Sequence, residues 1–309
     1  MGNTLSEPVK EKHSDSGSDN RLLFASSEMH GWRLAMEDTH TVELTLNDNK
    51  GYSFFGVYDG HSGRETANYC CAHLHERIAR DPEFPDDIEE AIKNGFLGVD
   101  EDMRNDAQFA KDSSGSTAVT AIITPQNHVY VGNAGDSRAV ISIDGIANPM
   151  STDHKPYKNE ESDRITKAGG NVERGRVNGG LAMSRAIGDF HYKQNPELSP
   201  EQQLVTAYPE IKIEKITKKT EFLSIWDYLS SQDVVNFIRR EISLNHTLQK
   251  ACENLMDECL ADDDHRNGTT DNMTVIIVGF LTGRTVGDWY RWMASRYGKV
   301  GHEYNRKKY

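Results

Sequence analysis

The chain has 309 residues, with 35 lysines and arginines against 48 aspartates and glutamates, a formal net charge of -13. That length can bury a substantial core in one large domain or two small ones. The acidic balance argues against nucleic-acid binding, which recruits basic faces, and the longest apolar stretch, residues 275–281, falls far short of the ~18 residues that span a bilayer.

The chain opens Met1-Gly2-Asn3-Thr4-Leu5-Ser6, which fits the M-G-x-x-x-[ST] pattern of N-myristoylation at Gly2. No basic-then-apolar signal peptide is expected there. Residues 7–20 are polar and lack an apolar period, so 1–21 is expected to be a disordered leader. Apolar runs then predict strands at 22–26, 52–58, 117–123, 129–133, 139–143 and 273–281, several flanked by Asn, Asp or Gly. Helical spacing lies between them. Ala67, Cys70, Cys71, Leu74 and Ile78 share one face; Ile88, Ile92, Phe96, Val99 and Met103 share another. Leu248, Cys252, Leu255, Met256 and Cys259 make a third. Thr285-Val-Gly-Asp288 resembles a capping box, with Trp289, Trp292, Met293 and Arg296 following at helical spacing. Residues 298–309 read as a short basic tail. Strands and helices do not alternate regularly, so the expected class is α+β, layered sheets covered by helices, over 22–297.

The four cysteines, Cys70, Cys71, Cys252 and Cys259, form neither a CxxC pair nor a disulfide framework, which favours a reducing compartment. There is no P-loop and no H-E-x-x-H. The acidic run 262–264 with Gly268 fails as a calcium loop, because position three would be His265 and position twelve Thr274. Cys71 and Arg77 have the spacing of a cysteine-phosphatase loop, but six helical steps set their side chains roughly 120° apart. Cys71 therefore reads as packing.

What remains is a set of carboxylates in turn-like settings: Glu37-Asp38, Asp59, Asp136 and Asp271. Each alone has a turn-forming explanation. Together they differ, because Asp59 ends one apolar strand and Asp271 precedes another. Carboxylates that converge at strand ends repel one another unless a cation offsets them. Oxygen ligands without cysteine select hard ions, Mg²⁺ or Mn²⁺.

Seven motifs occur in order: Gly31-Trp-Arg-Leu-Ala-Met-Glu-Asp38, Phe54-Phe-Gly-Val-Tyr-Asp-Gly-His-Ser-Gly63, Ser114-Gly-Ser-Thr-Ala118, Val131-Gly-Asn-Ala-Gly-Asp-Ser-Arg138, Asp153-His-Lys-Pro156, Gly180-Leu-Ala-Met-Ser-Arg-Ala-Ile-Gly-Asp189 and Asp271-Asn-Met-Thr-Val275. Over roughly residues 22–297 the sequence resembles the type 2C metal-dependent Ser/Thr protein phosphatases. The resemblance implies a central β-sandwich of two antiparallel sheets flanked by helix pairs. It implies that Asp59 bridges two Mg²⁺ or Mn²⁺ ions, with the Gly60 carbonyl also a ligand. Glu37 would serve one ion, with Asp38 holding its waters, and Asp271 the other. Asp136 and Asp227 would lie near a third metal position. Arg33 would grip the substrate phosphate and His61 would protonate the leaving oxygen, while a metal-bridged hydroxide attacks phosphorus. The implied substrates are phosphorylated proteins, met by a monomer in the cytoplasm or nucleus, with at most weak membrane association through a myristoyl group.

One departure stands out. The family's strand before Trp-Asp carries Ala-Cys-Asp-Gly, whose aspartate is a principal metal ligand. Here the text is Thr220-Glu-Phe-Leu-Ser-Ile-Trp-Asp-Tyr-Leu-Ser-Ser231, and that element is absent. The strand is expected to shrink to 222–225. Two function classes follow: a metal-dependent phosphoserine/phosphothreonine phosphatase, and a catalytically impaired relative that binds phosphoproteins. Retained Arg33 and His61 favour the first. The segment 157–176 reads as a flap that shapes substrate choice.

Overall fold

The structure, a computed structural model, describes residues 4–49, 51–109, 111–226, 228–262 and 267–297. Gly2 and the basic tail lie outside the described residues. In chain order the strands are β1 (Thr4–Ser18), β2 (Leu22–Arg33), β3 (Thr39–Glu43), β4 (Ser53–Tyr58), β5 (Gly60–His61), β6 (Gly115–Ser116), β7 (Ala118–Ile123) and β8 (His128–Ala134). They continue as β9 (Arg138–Ile143), β10 (Ile146–Pro149), β11 (Val172–Glu173), β12 (Arg176–Val177), β13 (Ile187–Gly188), β14 (Glu210–Lys215), β15 (Thr220–Trp226) and β16 (Met273–Phe280). The helices are α1 (Glu65–Ala79), α2 (Ile88–Asn105), α3 (Asn159–Lys167), α4 (Ser231–Ser243), α5 (Leu248–Cys259) and α6 (Val286–Ala294). The described chain divides into two compact units. One takes in residues 4–36, 138–150 and 215–297, the other 37–137 and 151–214.

The first unit is built on an antiparallel sheet in the order β1-β2-β16-β15-β9-β10. Its centre is apolar: β15 and β16 are buried at every position. The expected face of α5 holds, with Leu248, Cys252, Leu255, Met256 and Cys259 all in the core beside Ala25, Met29, Val275 and Ile277. Ser230 caps α4 by accepting from Asp233 N, and Thr285 caps α6 by accepting from Asp288 N. Each unsatisfied first-turn N–H so paired stabilises its helix by about 1 kcal/mol. Trp289 of α6 is wholly buried, and its Nε1–H donates to the Glu221 carbonyl at 3.3 Å.

The leader expected to be disordered is ordered from Thr4. Thr4–Ser18 forms the edge strand β1, paired antiparallel with β2 from Thr4↔Arg33 to Ser18↔Leu23 across two register shifts. It shows no apolar period because it pairs by backbone and anchors by polar side chains. Lys12, Ser14 and Ser16, alternate residues on one strand face, reach Asp257 at 2.6 Å, Glu253 at 3.1 Å and Gln249 at 3.4 Å. Those partners stand four residues apart on α5, one helical face.

Glu221 is a carboxylate wholly buried within the apolar strand β15. It accepts from Ser142 Oγ at 2.6 Å, from Gly145 N at 3.1 Å and from Arg296 Nε at 3.3 Å, and it ion-pairs with Arg239, itself 5% exposed. Arg239 Nη2 then donates to the Arg296 carbonyl at 2.8 Å. A buried charge persists only when paired and hydrogen-bonded in this way.

The second unit carries an antiparallel sheet in the order β14-β8-β7-β4-β3. The expected faces of α1 and α2 pack on it: Ala67, Cys70, Leu74 and Ile78, then Ile88, Ile92, Phe96, Val99 and Met103, share a core with Phe54, Tyr58 and Ile122. Cys71 packs at the margin of that core, half-buried, with Sγ 3.2 Å from the His40 carbonyl. A three-stranded sheet, β13-β6-β5, and the hairpin β11-β12 complete the unit. Both units therefore follow the expected α+β plan, an antiparallel sheet with helices against it.

Around α3 the second unit buries an ionic cluster. Burial works to raise the Glu161 carboxyl, but Arg185 and Arg164, each at 2.7 Å, hold it down at about 2. His154, 4% exposed, accepts from Gly135 N through Nδ1, and burial with Arg185 nearby pulls its imidazole down to about 3. Both groups bind protons more readily unfolded than folded. Stability is complete above the ordinary imidazole value and falls once pH drops below it. The slope reaches about 1.4 kcal/mol per pH unit for each such group. Glu161 adds its loss from roughly pH 4.5 downward. Urea midpoints of the parent should decline between pH 6.5 and 4, and His154→Gln should flatten that decline. An equal decline in both proteins would refute the assignment.

Candidate active site

In the second unit, three short strands set the site. His61 on β5 pairs with Gly115 on β6, which pairs with Gly188 on β13. Asp189 follows β13 in the left-handed region, at φ +50°, and its Oδ2 lies 2.7 Å from His61 Nε2. Gly115 stands between the two: a methyl group there would run into both the Asp189 carboxylate and the His61 ring. The turn is held from beneath. Asp100 of α2 accepts from Gly188 N at 2.8 Å and from Lys193 Nζ at 2.6 Å. Lys193 is 2% exposed, and its ammonium also donates to the Ala186 carbonyl at 2.9 Å.

The loop 59–63 packs on the segment before β3. Gly60 lies so near the Glu37 carbonyl that a side chain would collide with it, and Glu37 Oε1 accepts from Gly63 N at 2.7 Å. The Asp59 backbone is pinned at both ends, its N–H on Thr117 Oγ1 at 3.1 Å and its carbonyl on Thr117 N at 2.9 Å. Glu37, Asp59 and Gly60 are thus brought to one loop cluster, with Asp38 directly ahead of β3. Asp136 is half-buried and ion-paired with Lys155. Lys155 lies in the motif Asp153–Pro156 and Asp189 ends the motif Gly180–Asp189, and the resemblance assigns neither a role.

In the first unit, Arg33 ends β2 and Asp271 precedes β16. Arg33 Nη2 donates to Asp271 Oδ2 at 2.5 Å, both side chains 39% exposed. Asn272 Nδ2 clamps this corner, donating to the His30 carbonyl at 2.7 Å and the Ala35 carbonyl at 3.0 Å. Gly31, at φ +68°, leaves room for the Asp271 carbonyl, 2.6 Å from where a Cβ would sit. Asp227 lies outside the described residues. The strand before it is longer than expected, Thr220–Trp226 rather than 222–225, because Trp226 still pairs with Arg138. Its pairing with β16 nevertheless ends, among the described residues, at Ile225↔Ile276. A small cavity lined by Trp226, Leu255, Met256, Cys259, Met273 and Val275 lies at that end.

The donors match hard ions in type, all carboxylate or carbonyl oxygen. Asp136 and Asp271 already face Lys155 and Arg33, and among the described residues no three His, Cys, Asp or Glu side chains gather where one ion could bind them.

The model of the Protein phosphatase 2C family matches residues 22–273. This chain belongs to that family. It is 49% identical to Protein phosphatase 2C homolog 2 of Schizosaccharomyces pombe, over 96% of this chain and 83% of the relative. It is 48% identical to the homolog 2 of Hypocrea jecorina, over 96% and 71%, and 39% identical to human Protein phosphatase 1A, over 91% and 76%. A crystal structure of a phosphatase from Toxoplasma gondii aligns over 87% of this chain and 96% of its own with a TM-score of 0.76 at 24% identity, which speaks to the fold. The expected fold class holds on both grounds. The activity of the protein phosphatase 2C family is metal-dependent dephosphorylation of serine and threonine in proteins, and this chain is a protein Ser/Thr phosphatase of that family.

Proposed function

We propose that this chain hydrolyses phosphoserine and phosphothreonine in proteins with Mg²⁺ or Mn²⁺, at a turnover held down by the missing Ala-Cys-Asp-Gly segment before Trp226. The retention of Arg33 and His61 at the ends of their strands supports the activity; the early end of β15–β16 pairing supports the restraint. Arg33 is the group for the phosphate, since its planar fork suits two phosphate oxygens. Its present partner is a carboxylate, so phosphate binding exchanges one anion for another. His61 is the group for the leaving oxygen. Hydrolysis of a phosphothreonine peptide, with and without Mn²⁺, tests this against His61→Gln. Turnover no higher than in that variant would overturn the proposal.

No thiol takes part in this reading. Burial pushes the Cys70 and Cys252 thiols well up, so neither presents a thiolate near neutral pH. Alkylation of the folded protein with N-ethylmaleimide should leave turnover unchanged at constant metal content. Loss of activity in step with Cys71 labelling would count against an oxygen-only site.

We also propose cytoplasmic or nuclear residence with a weak membrane fraction if Gly2 is acylated. One myristoyl chain binds membranes only marginally, and Lys10 and Lys12 are offset by Glu7 and Glu11. Lys12 is moreover engaged by Asp257. Mass spectrometry of the amino-terminal peptide should show the 14-carbon acyl group; an unmodified or acetylated Gly2 removes the claim.

A further inference from the structure

We infer that Asp189 is the positioning residue of His61, and that Gly115 is glycine to let the two meet. This rests on the reading of His61 as the group that protonates the leaving oxygen.

The geometry carries the assignment. The carboxylate of Asp189, 3% exposed, is the one hydrogen-bond partner of the His61 ring among the described residues; Nδ1 is buried with none. A carboxylate only accepts, so it fixes the proton on Nε2 and sets the plane of the ring. Without it the ring has no polar group to choose its rotamer. The carboxylate itself has little freedom. Asp189 N donates to the Ser114 carbonyl at 3.0 Å, and Gly188, at φ +78°, packs where a side chain would strike the Ser114 carbonyl and Thr66. Below, the buried Asp100–Lys193 pair fastens both ends of the turn, through Gly188 N and through Lys193. Three strands from distant parts of the chain and one helix thus converge on a single imidazole.

In the hydrolysis that follows, water supplies the incoming oxygen and the P–O bond to the side-chain oxygen breaks. The bonding pair stays on that oxygen, which takes the Nδ1 proton of the imidazolium while Nε2–H stays on Asp189; solvent then returns a proton to Nδ1. Serine and threonine alkoxides need that proton, whereas a nitrophenolate leaves without it. A ring held in the wrong rotamer should therefore harm one substrate and spare the other.

Asp189→Asn keeps the shape and removes the obligatory acceptor. Expected is a fall in kcat of about 10- to 100-fold on phosphothreonine peptide with KM unchanged, against less than about threefold on p-nitrophenyl phosphate. His61→Gln should show the same split, and the double variant should be no worse than His61→Gln alone. A second readout needs no turnover. Long-range proton–nitrogen spectra of the metal-free protein should give His61 as the Nε2–H tautomer, and Asp189→Asn should mix the tautomers, since an amide can donate as well as accept. Equal losses on both substrates, additive losses in the double variant, or an unchanged tautomer would each overturn the inference. Should His61→Gln itself affect both substrates alike, the acid reading of His61 fails; the tautomer spectra then show separately whether Asp189 holds the ring.

Discussion

Inserting Ala-Cys-Asp-Gly between Ser224 and Ile225 should raise Mn²⁺ affinity by about tenfold or more and raise phosphopeptide turnover with it, since ligand charge sets the affinity of such hard-ion sites. The register of β15 on β16 says where the new residues go. Phe222 faces Gly279 and Ile225 faces Ile276, so extension in register puts the inserted alanine across from Ile276 and the cysteine across from Val275. The aspartate arrives across from Thr274, three residues along the chain from Asp271, and the glycine across from Met273. Four is an even number, so Ile225 and Trp226 keep their faces when they move on. The lengthened strand also meets the side of β16 that borders the small cavity under Trp226. Titration calorimetry with Mn²⁺ and peptide turnover, on both chains side by side, give the answer. Equal affinity and equal turnover would mean that the missing segment costs the site nothing.

Glu221→Ala is expected to destabilise the protein by about 3–5 kcal/mol, because it strands the Arg239 guanidinium in the core without its anion. For a chain of this length that corresponds to a melting point lower by roughly 6 °C. The loss should be specific to the unpaired charge. Glu221→Met combined with Arg239→Met removes both charges and should recover most of the stability, as apolar replacement of a buried pair commonly does. Thermal unfolding of the single and double variants separates the cases. A double variant as unstable as the single one would show that the bonds to Ser142, Gly145 and Arg296, rather than the ion pair, hold this corner.

The sequence revealed elements that bury apolar surface and hid those that do not. β4, β7, β8, β9 and β16 were legible because apolar runs fill central strands; α1, α2, α5 and α6 were legible from helical spacing. β1, β3, β10 and β14 are the outer strands of their sheets, and their half-exposed, polar residues give no clean alternation. α3 buries one apolar residue, Ile165, beside the charged Glu161, so its apolar period is faint. α4 carried a full signal, Ser230 as cap with Val234, Val235, Phe237, Ile238 and Ile242 behind it, and went unread. Around the site, Arg33, Glu37, Asp59, His61 and Asp271 stood out through their motifs. Asp189 closed a motif without a role, since nothing local relates it to a histidine 128 residues earlier. β5, β6 and β13 are two residues long, too short for any period to show.

The pairing of Thr4 with Arg33 gives the molecule a direction of attachment. Thr4 itself stands beside the arginine assigned to phosphate, at the same end of the sheet as the Asn272 clamp. An acyl group, a purification tag or an immobilising bead fixed to the amino terminus would be joined to the chain no more than three residues ahead of the strand position that pairs with this arginine. Large substrates would meet crowding there that a free phosphopeptide would not. Attachment points on the exposed face of α6, whose Trp289 packs on Gly279 toward the far end of β2, keep clear of that arginine and are the better handles for presenting this chain to whole phosphoproteins.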